Sequence, residues 1–461
     1  MRRLCDLALR ALTRLVLGIF FRRVEVVGGH RLPAGGPTIF LGNHYNALID
    51  PALALGWLPP GVRMLAKSTL WRQMPVGLFV RLAGAVPVYR QVDRGVDTAK
   101  NVEMFARCWR ILGEGGSIAL FPEGLSHNEP ALQPLKTGAA RIALGTAARY
   151  PEADLSIVPF GLVFEARDRF RSRALMEIGH PIELRRAAAW HGWDLSAGET
   201  EQETVRSLTA EIERELAAVT LNYASWEEAE IVRRAADLWV SEQEGVGAGH
   251  RLKPGLPYQR AFAEGYADIK RLYPRETAQV RRRTAAYARL LDLTGLTDRQ
   301  VTSDYPPALV ARFLAHSAFE LLVLLPAGLA GTVINWLPYK IPRWLVPRLP
   351  IQADQHATYK VMISLFLFPA VWLTLGWLAW RWWGPGVALP LLIVSPLSGY
   401  AALLLKERCQ RLVVESRAYL LLRGPQMLRG PGTLAERLRA RRRELLGSIR
   451  SLVDAYQAAQ E

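Results

Sequence analysis

The stretch GGPTIFLGNHYNALIDPALALGWL, residues 35–58, decides how the chain is read. Gly-Gly-Pro opens onto Thr38, Ile39, Phe40, Leu41 and Gly42, a run of β-favouring residues bounded by turn formers, which reads as a short strand. A polar loop of Asn43, His44, Tyr45 and Asn46 follows. Asp50 and Pro51 before ALALGWL then read as a helix entry, with Asp50 capping the free backbone N–H groups and Pro51 at the first helical position. Capping accounts for Asp50. It does not account for His44, which sits in the loop with no apolar stripe to join. An imidazole beside a carboxylate is a general base with its orienting acid. On one straight helix, residues six apart point about 120° away from each other. The two therefore meet only if His44 precedes the helix that Asp50 opens.

Working outward, the same alternation recurs from residue 24 to residue 185. VEVVG, TIFLG, GAVPVY, SIALF, SIVPFGLVF and LMEIG read as strands, and helices are predicted around 51–58, 69–83, 97–113 and 136–149. Alternation of this kind predicts an α/β domain, a sheet flanked by helices, whose chemistry sits on the loops at strand ends. Three such loops stand out. KSTLWRQMPVGLFVRLAGAVPVYR (67–90) ends a strand on Arg90, FPEGLSHNEPALQPLKTGAARIAL (121–144) places Glu123 and Gly124 just after SIALF, and IVPFGL spans 157–162.

These blocks, in this order after the His44 stretch, resemble the glycerolphosphate and lysophospholipid acyltransferase family, above all its fungal-type glycerol-3-phosphate/dihydroxyacetone-phosphate branch. The resemblance covers roughly residues 25–185, and the apolar C-terminal half is also similar to that branch. The broad family places four residues between its histidine and its aspartate, whereas Tyr45 to Ile49 make five here; the longer spacing followed by Pro51 resembles the fungal-type branch. The resemblance implies an acyltransfer enzyme of glycerophospholipid synthesis. Its donor is acyl-CoA or acyl-carrier protein. Its acceptor is glycerol-3-phosphate or dihydroxyacetone phosphate, or alternatively lysophosphatidate or another lysophospholipid acylated at the 2-position. No cofactor or metal is expected beyond the acyl thioester.

His44 is then the candidate base and Asp50 its partner. No G-x-S-x-G elbow is present, so direct transfer without an acyl-enzyme is the simpler chemistry. A phosphorylated acceptor needs cations, and Arg90 is the best placed because its fork can hold phosphate oxygens through two hydrogen bonds. Lys67 and Lys136 are further candidates. Glu123, with Gly124 in the turn, either accepts hydrogen bonds from acceptor hydroxyls or braces the loop. Ser126 and His127 carry no assigned role. The competing class is a lipid-binding membrane scaffold that has lost its chemistry; the presence of His44, Arg90 and Glu123 together speaks against it.

The flanking regions point to a membrane. RRLCDLALRALTRLVLGIFFRR spaces Arg3, Asp6, Arg10, Thr13 and Arg14 along one helical face, so residues 1–23 read as an amphipathic helix in the interface. Residues 186–310 are helical and polar, with a stripe of Val205, Leu208, Ile212, Leu216 and Val219 and a capping pair at Ser225 and Glu228; they read as a cap or linker. Residues 361–380 and 387–405 carry no charge over about 20 positions each, enough to span a bilayer. They form a predicted hairpin within a membrane-embedded region, residues 311–410. LLVLLPAGLAGTVINWLPY (321–339) contains Pro326, Gly328, Gly331 and Asn335, and reads as a shallow or re-entrant segment. Residues 411–461 read as a second surface-lying amphipathic helix.

The 461 residues carry a formal charge of +16. Most of it lies in residues 1–26, 338–360 and 406–461, each beside an apolar segment, so the basicity fits anionic lipid headgroups rather than nucleic acid. Basic flanks favour the cytoplasmic side, which puts the catalytic domain on the cytoplasmic face of a membrane. Cys5, Cys108 and Cys409 are far apart and odd in number, which predicts no disulfide framework.

Overall fold

The computed structural model describes residues 2–73, 76–90, 97–167, 169–243, 252–303, 306–351, 355–423 and 433–459. The chain divides into two compact units: Met1–Ser225 with Ile351–Thr358, and Trp226–Pro350 with Tyr359–Glu461.

In the first unit, strands β1 (Arg23–Val27), β2 (Thr38–Gly42), β3 (Arg63–Lys67), β4 (Val86–Val88), β5 (Ser117–Leu120), β6 (Ser156–Phe164), β7 (Arg173–Ile178) and β8 (Ile182–Glu183) form one sheet. Its order is β1-β7-β6-β2-β5-β3-β4, with β8 beside β6. Strand β2 runs parallel to both β5 and β6, and β3 is parallel to β5 and β4, while β7 runs antiparallel to β6. Five strands thus present their carboxyl ends on one edge, the usual place for a site in a parallel sheet. Strand β3 was not among the predicted strands: RMLAK is bounded by two cations and holds no β-branched residue.

Helices α1 (Arg2–Phe20), α2 (Ile49–Trp57), α3 (Val76–Leu82), α4 (Asn101–Gly113), α5 (Gly138–Arg149), α6 (Leu184–His191) and α7 (Gln202–Ala217) complete the unit. The core gathers Ile39, Leu41, Ile118 and Ile157 from the sheet with Leu112, Ile142 and Leu144 from α4 and α5, and with Val205, Leu208 and Ile212 from α7. Each such fully buried aliphatic side chain contributes about 1.5–3 kcal/mol. Helix α7 is therefore part of the α/β domain, which corrects the boundary expected at residue 185. The stripe was read correctly, but what it packs against is the sheet's own helices.

Helix α1 is amphipathic in an unusual sense. Arg10 donates to the carbonyls of Leu55, Leu58 and Pro59 at 2.7, 2.7 and 2.8 Å, and Arg14 donates to the carbonyl of Gly56 at 2.6 Å. These guanidinium groups satisfy the unpaired carbonyls at the C-terminal end of α2. The polar face is thus turned to the protein, and Leu4, Leu7, Leu12, Leu15 and Ile19 are left exposed.

The second unit is helical: α8 (Trp226–Gln243), α9 (Leu256–Leu272), α10 (Pro274–Thr294), α11 (Asp298–Thr302), α12 (Pro307–Ile334), α13 (Trp336–Leu345), α14 (His356–Trp383, from Tyr359 onward), α15 (Pro385–Arg423) and α16 (Leu434–Ala458). Helix α16 does not lie on a surface with its apolar face free, as the sequence suggested. Leu438, Leu445 and Ile449 are buried with Leu238 of α8, Val280 and Tyr287 of α10, Val301 of α11, and Ala418 and Leu422 of α15. Arg442 fastens it, donating to Asp298 at 3.0 Å, Glu242 at 2.9 Å and Ser241 at 2.8 Å.

Among the described residues, three segments, Ala308–Arg348, Thr358–Trp383 and Pro385–Leu422, contain helices long and apolar enough to cross a membrane. Pro326, Gly328 and Gly331, expected to break the first, lie inside the continuous helix α12. The glycines serve contact instead: a Cβ on Gly328 would press on Leu405, and one on Gly331 would strike the backbone carbonyl of Ser398. Backbone cannot yield as a side chain does. We expect Gly331→Ala to lower stability by about 1–3 kcal/mol, as overpacking does, whereas Gly447→Ala, in α16 with open space around its Cα, should be neutral or mildly stabilising. Thermal unfolding of both variants in detergent is the measurement.

Candidate active site

The loop after β2 is built by side chains that hold its backbone. Fully buried Asn43 pairs with both peptide groups of Leu162 in β6, accepting at 2.7 Å and donating at 3.1 Å. This extends the β2–β6 ladder by one step and fixes where the chain leaves the sheet. His44 comes next, its ring stacked on Phe121 with centroids 4.2 Å apart.

His44 Nδ1 lies 3.1 Å from Asp50 Oδ2. The aspartate is buried, and the same oxygen accepts the Asn46 backbone N–H at 2.6 Å. Five intervening residues therefore close the pair, because His44 lies before the helix and Asp50 within its first turn. The capping explanation for Asp50 does not hold. Helix α2 begins at Ile49 with Leu48 as its N-cap residue, and the carboxylate turns back to the His44–Asn46 loop instead of forward along the helix. With Nδ1 turned to Asp50, Nε2 is the ring nitrogen left for another partner.

Glu123 follows β5 and is buried. Its Oε1 accepts the His44 backbone N–H at 2.7 Å; its Oε2 accepts the Gln133 N–H at 2.8 Å and pairs with His127 Nε2. Of the two roles expected for Glu123, the geometry describes the brace. Gly124 beside it has φ +80°, a left-handed conformation that glycine takes at no steric cost.

Arg90 reaches this turn, donating from Nη1 to the Gly124 carbonyl at 2.9 Å. The Lys136 N–H bonds the Pro122 carbonyl at 2.8 Å, and its Cγ stands 3.4 Å from where a Cβ of Gly124 would be. Lys67 ends β3 opposite Val88 of β4, two residues short of Arg90. Among the described residues, His44, Asp50, Glu123, Gly124, Arg90 and Lys136 are thus linked through short contacts, while Lys67 shares the sheet edge without a hydrogen bond to the others.

Two residues to which the sequence assigned no role complete the surroundings. Tyr45 is buried, and that burial, partly offset by Arg167, pushes its hydroxyl up to about 12, so it is a neutral phenol. The Arg167 guanidinium lies 4.2 Å from the Tyr45 ring centroid. Burial pulls its pKa below the usual arginine value, against the opposing pull of Tyr45 and Asp50. Arg167 lies three residues past the end of β6, the strand flanking β2 on the side away from β5, and that position was the only signal the sequence offered for it. A cation therefore stands on the sheet edge to either side of the histidine, Arg167 past β6 and Arg90 past β4.

A buried acid orienting an imidazole, with cations nearby, is the equipment for moving a group onto a hydroxyl. Residues 23–163 match the acyltransferase family model. Its relatives sharpen the comparison. The chain is 30% identical to glycerol-3-phosphate O-acyltransferase 2 of Saccharomyces cerevisiae, over 59% of this chain and 37% of that one. It is 24% identical to glycerol-3-phosphate O-acyltransferase 1 of the same yeast, over 48% and 40%. The chain thus spans well under half the length of these two relatives. A solved 1-acyl-sn-glycerophosphate acyltransferase from Thermotoga maritima is 18% identical, covering 47% of this chain and 79% of that one, with a TM-score of 0.34.

Proposed function

We propose that the protein is a membrane-associated O-acyltransferase that moves a fatty acyl group from acyl-CoA or acyl-carrier protein to the hydroxyl of glycerol-3-phosphate or dihydroxyacetone phosphate. The observation that carries this reading is the 3.1 Å contact between His44 Nδ1 and buried Asp50. An alcohol is far too weak an acid to ionise at neutral pH, so its proton must leave as its oxygen attacks. His44 Nε2 takes that proton while the oxygen bonds to the thioester carbonyl carbon. Asp50 stabilises the imidazolium that forms. The carbon–sulfur bond then breaks, and the proton passes from His44 to the leaving thiolate. No acyl-enzyme is needed.

Arg90 is the cation for the acceptor phosphate, with Lys136 and Lys67 beside it. The exposed leucine face of α1 and the three apolar helices hold the protein on the membrane, where the basic flanks favour anionic lipid. The acyl product then passes directly into the bilayer.

The deciding test is an acceptor panel with purified protein and one acyl thioester, containing glycerol-3-phosphate, dihydroxyacetone phosphate, lysophosphatidate and unphosphorylated glycerol. Transfer to the first two supports the reading. Transfer to lysophosphatidate alone would move it to 2-position chemistry, and thioester loss without any acceptor would make it a hydrolase. Arg90→Lys should raise the KM for the phosphorylated acceptor several-fold, because a point charge replaces a two-pronged contact, and leave the donor KM unchanged. A rise in the donor KM alone would assign Arg90 to the thioester side.

A further inference from the structure

A second histidine–carboxylate pair lies directly behind the first. His127 and Glu123 are both buried, and their side chains are hydrogen-bonded through Nε2 and Oε2. Between them they grip the backbone of His44 at both of its peptide groups. Glu123 accepts the His44 N–H at 2.7 Å, and the His127 N–H donates to the His44 carbonyl at 3.1 Å. The His127 ring is itself fixed on its other side. Its Nδ1 accepts the Glu129 backbone N–H at 3.2 Å, and the Tyr45 ring meets it edge-on with centroids 5.5 Å apart.

These contacts set the tautomer. A nitrogen that accepts a backbone N–H carries no proton of its own, so Nδ1 is bare and the ring proton sits on Nε2, facing Glu123. His127 is thereby a neutral donor whose proton has one direction to go. Without it, Glu123 Oε2 would keep only the Gln133 N–H, and a buried carboxylate short of donors rotates or takes up a proton. Either change loosens Oε1 from the His44 N–H. The Nδ1 to Asp50 contact depends on where that peptide sits, and displacements of about 1 Å at a catalytic group cost on the order of 10²-fold in rate.

Resting on the acyltransfer reading above, we propose that His127 is a positioning residue of the reaction, acting through Glu123 to hold the peptide of the catalytic base His44 in register with Asp50. It touches neither substrate. Its removal therefore weakens turnover and leaves both substrate affinities in place.

The experiment compares His127→Phe and His127→Gln in the full-length protein, with turnover, both KM values and thermal unfolding recorded for each. Phenylalanine keeps a ring beside Tyr45 and gives Glu123 no donor; the glutamine amide can place an N–H where Nε2–H stood. The expected result for His127→Phe is a kcat lower by about 10–100-fold with acceptor and donor KM within about twofold of the native values. His127→Gln should recover most of the loss. A folded His127→Phe variant with native kcat overturns the proposal, and so does a change confined to the acceptor KM, which would make His127 a substrate contact. If His127→Phe fails to fold, His127→Gln decides by itself: native-like KM values with kcat within a few-fold of native support the positioning role, and a 100-fold loss in a folded protein overturns it. His44→Ala run alongside separates the two levels. Full activity in His44→Ala sinks the acyltransfer mechanism, whereas an inactive His44→Ala with a native His127→Phe sinks this proposal alone.

Discussion

His44→Ala should lower turnover by roughly 10²–10⁴-fold, the range over which a general base acts, while the protein stays folded. The second half of that statement rests on the surroundings of Asp50. Removing the imidazole does not strand the buried carboxylate, because it keeps the Asn46 N–H at 2.6 Å. The His44 peptide also stays bound to Glu123 and His127 through backbone atoms that the substitution leaves alone. Steady-state kinetics beside thermal unfolding is the check, and near-native turnover in a folded variant would sink the mechanism. Asp50→Asn is a sharper companion. An asparagine oxygen can still accept the Asn46 N–H, so the loop survives. Its amide, however, can offer an N–H to His44 Nδ1, which would move the ring proton to Nε2 and remove the lone pair that takes the substrate proton. A comparable loss of kcat with unchanged unfolding temperature is expected. A stability loss without a kinetic one would make the aspartate a loop brace only.

How much of this was legible beforehand depends on whether a residue's meaning lies in its neighbours along the chain. Strands β2 and β6 were read to their observed ends, since TIFLG and SIVPFGLVF are β-favouring runs that local pattern identifies. RMLAK carries no such pattern; β3 is a strand because β4 and β5 lie on either side of it. The same limit governed α7 and α16. Their apolar stripes were visible at helical spacing, but a stripe states that something covers it and not what. For α7 the cover is the α/β core, and for α16 it is the bundle of α8, α10, α11 and α15. At the site, His44 stood out because no stripe could own it. Glu123 could not be decided between hydroxyl ligand and brace, because the donors that occupy it come from residues 44, 127 and 133. His127 and Arg167 each sat in loops where sequence offered only position.

The other large effect concerns sidedness. We infer that α12 and α13 form a re-entrant pair and that α8, α10, α11 and α16, which pack together, share one side of the membrane. Helix α12 runs alongside α15 with its charged first half on the charged second half of α15, where Arg408 pairs with Glu320 at 3.1 Å and Arg411 covers the Phe313 ring. It ends at Asn335, whose amide bonds the Ser395 carbonyl at 3.4 Å and accepts the Trp372 indole N–H at 2.8 Å. Ser395 is ten residues into α15, so at 1.5 Å per residue about 15 Å of that helix continues beyond the tip of α12. The chain then turns, and within four residues the Tyr339 hydroxyl accepts from Lys406 Nζ at 2.8 Å, back toward the charged end. A polar tip of this kind is tolerated at membrane depth only where protein surrounds it, and Asn335 is buried. Among the described residues, the turn between α14 and α15 is then what is left for the far side. With Cys5, Cys108 and Cys409 replaced, single cysteines at Arg282, Arg348, Gly386 and Arg441 should divide cleanly when sealed vesicles are treated with an impermeant thiol reagent. Positions 282, 348 and 441 should react from one face and 386 only from the other. Labelling of 441 from the face opposite to 282 would mean that α12 crosses completely, and the re-entrant reading would fail with it.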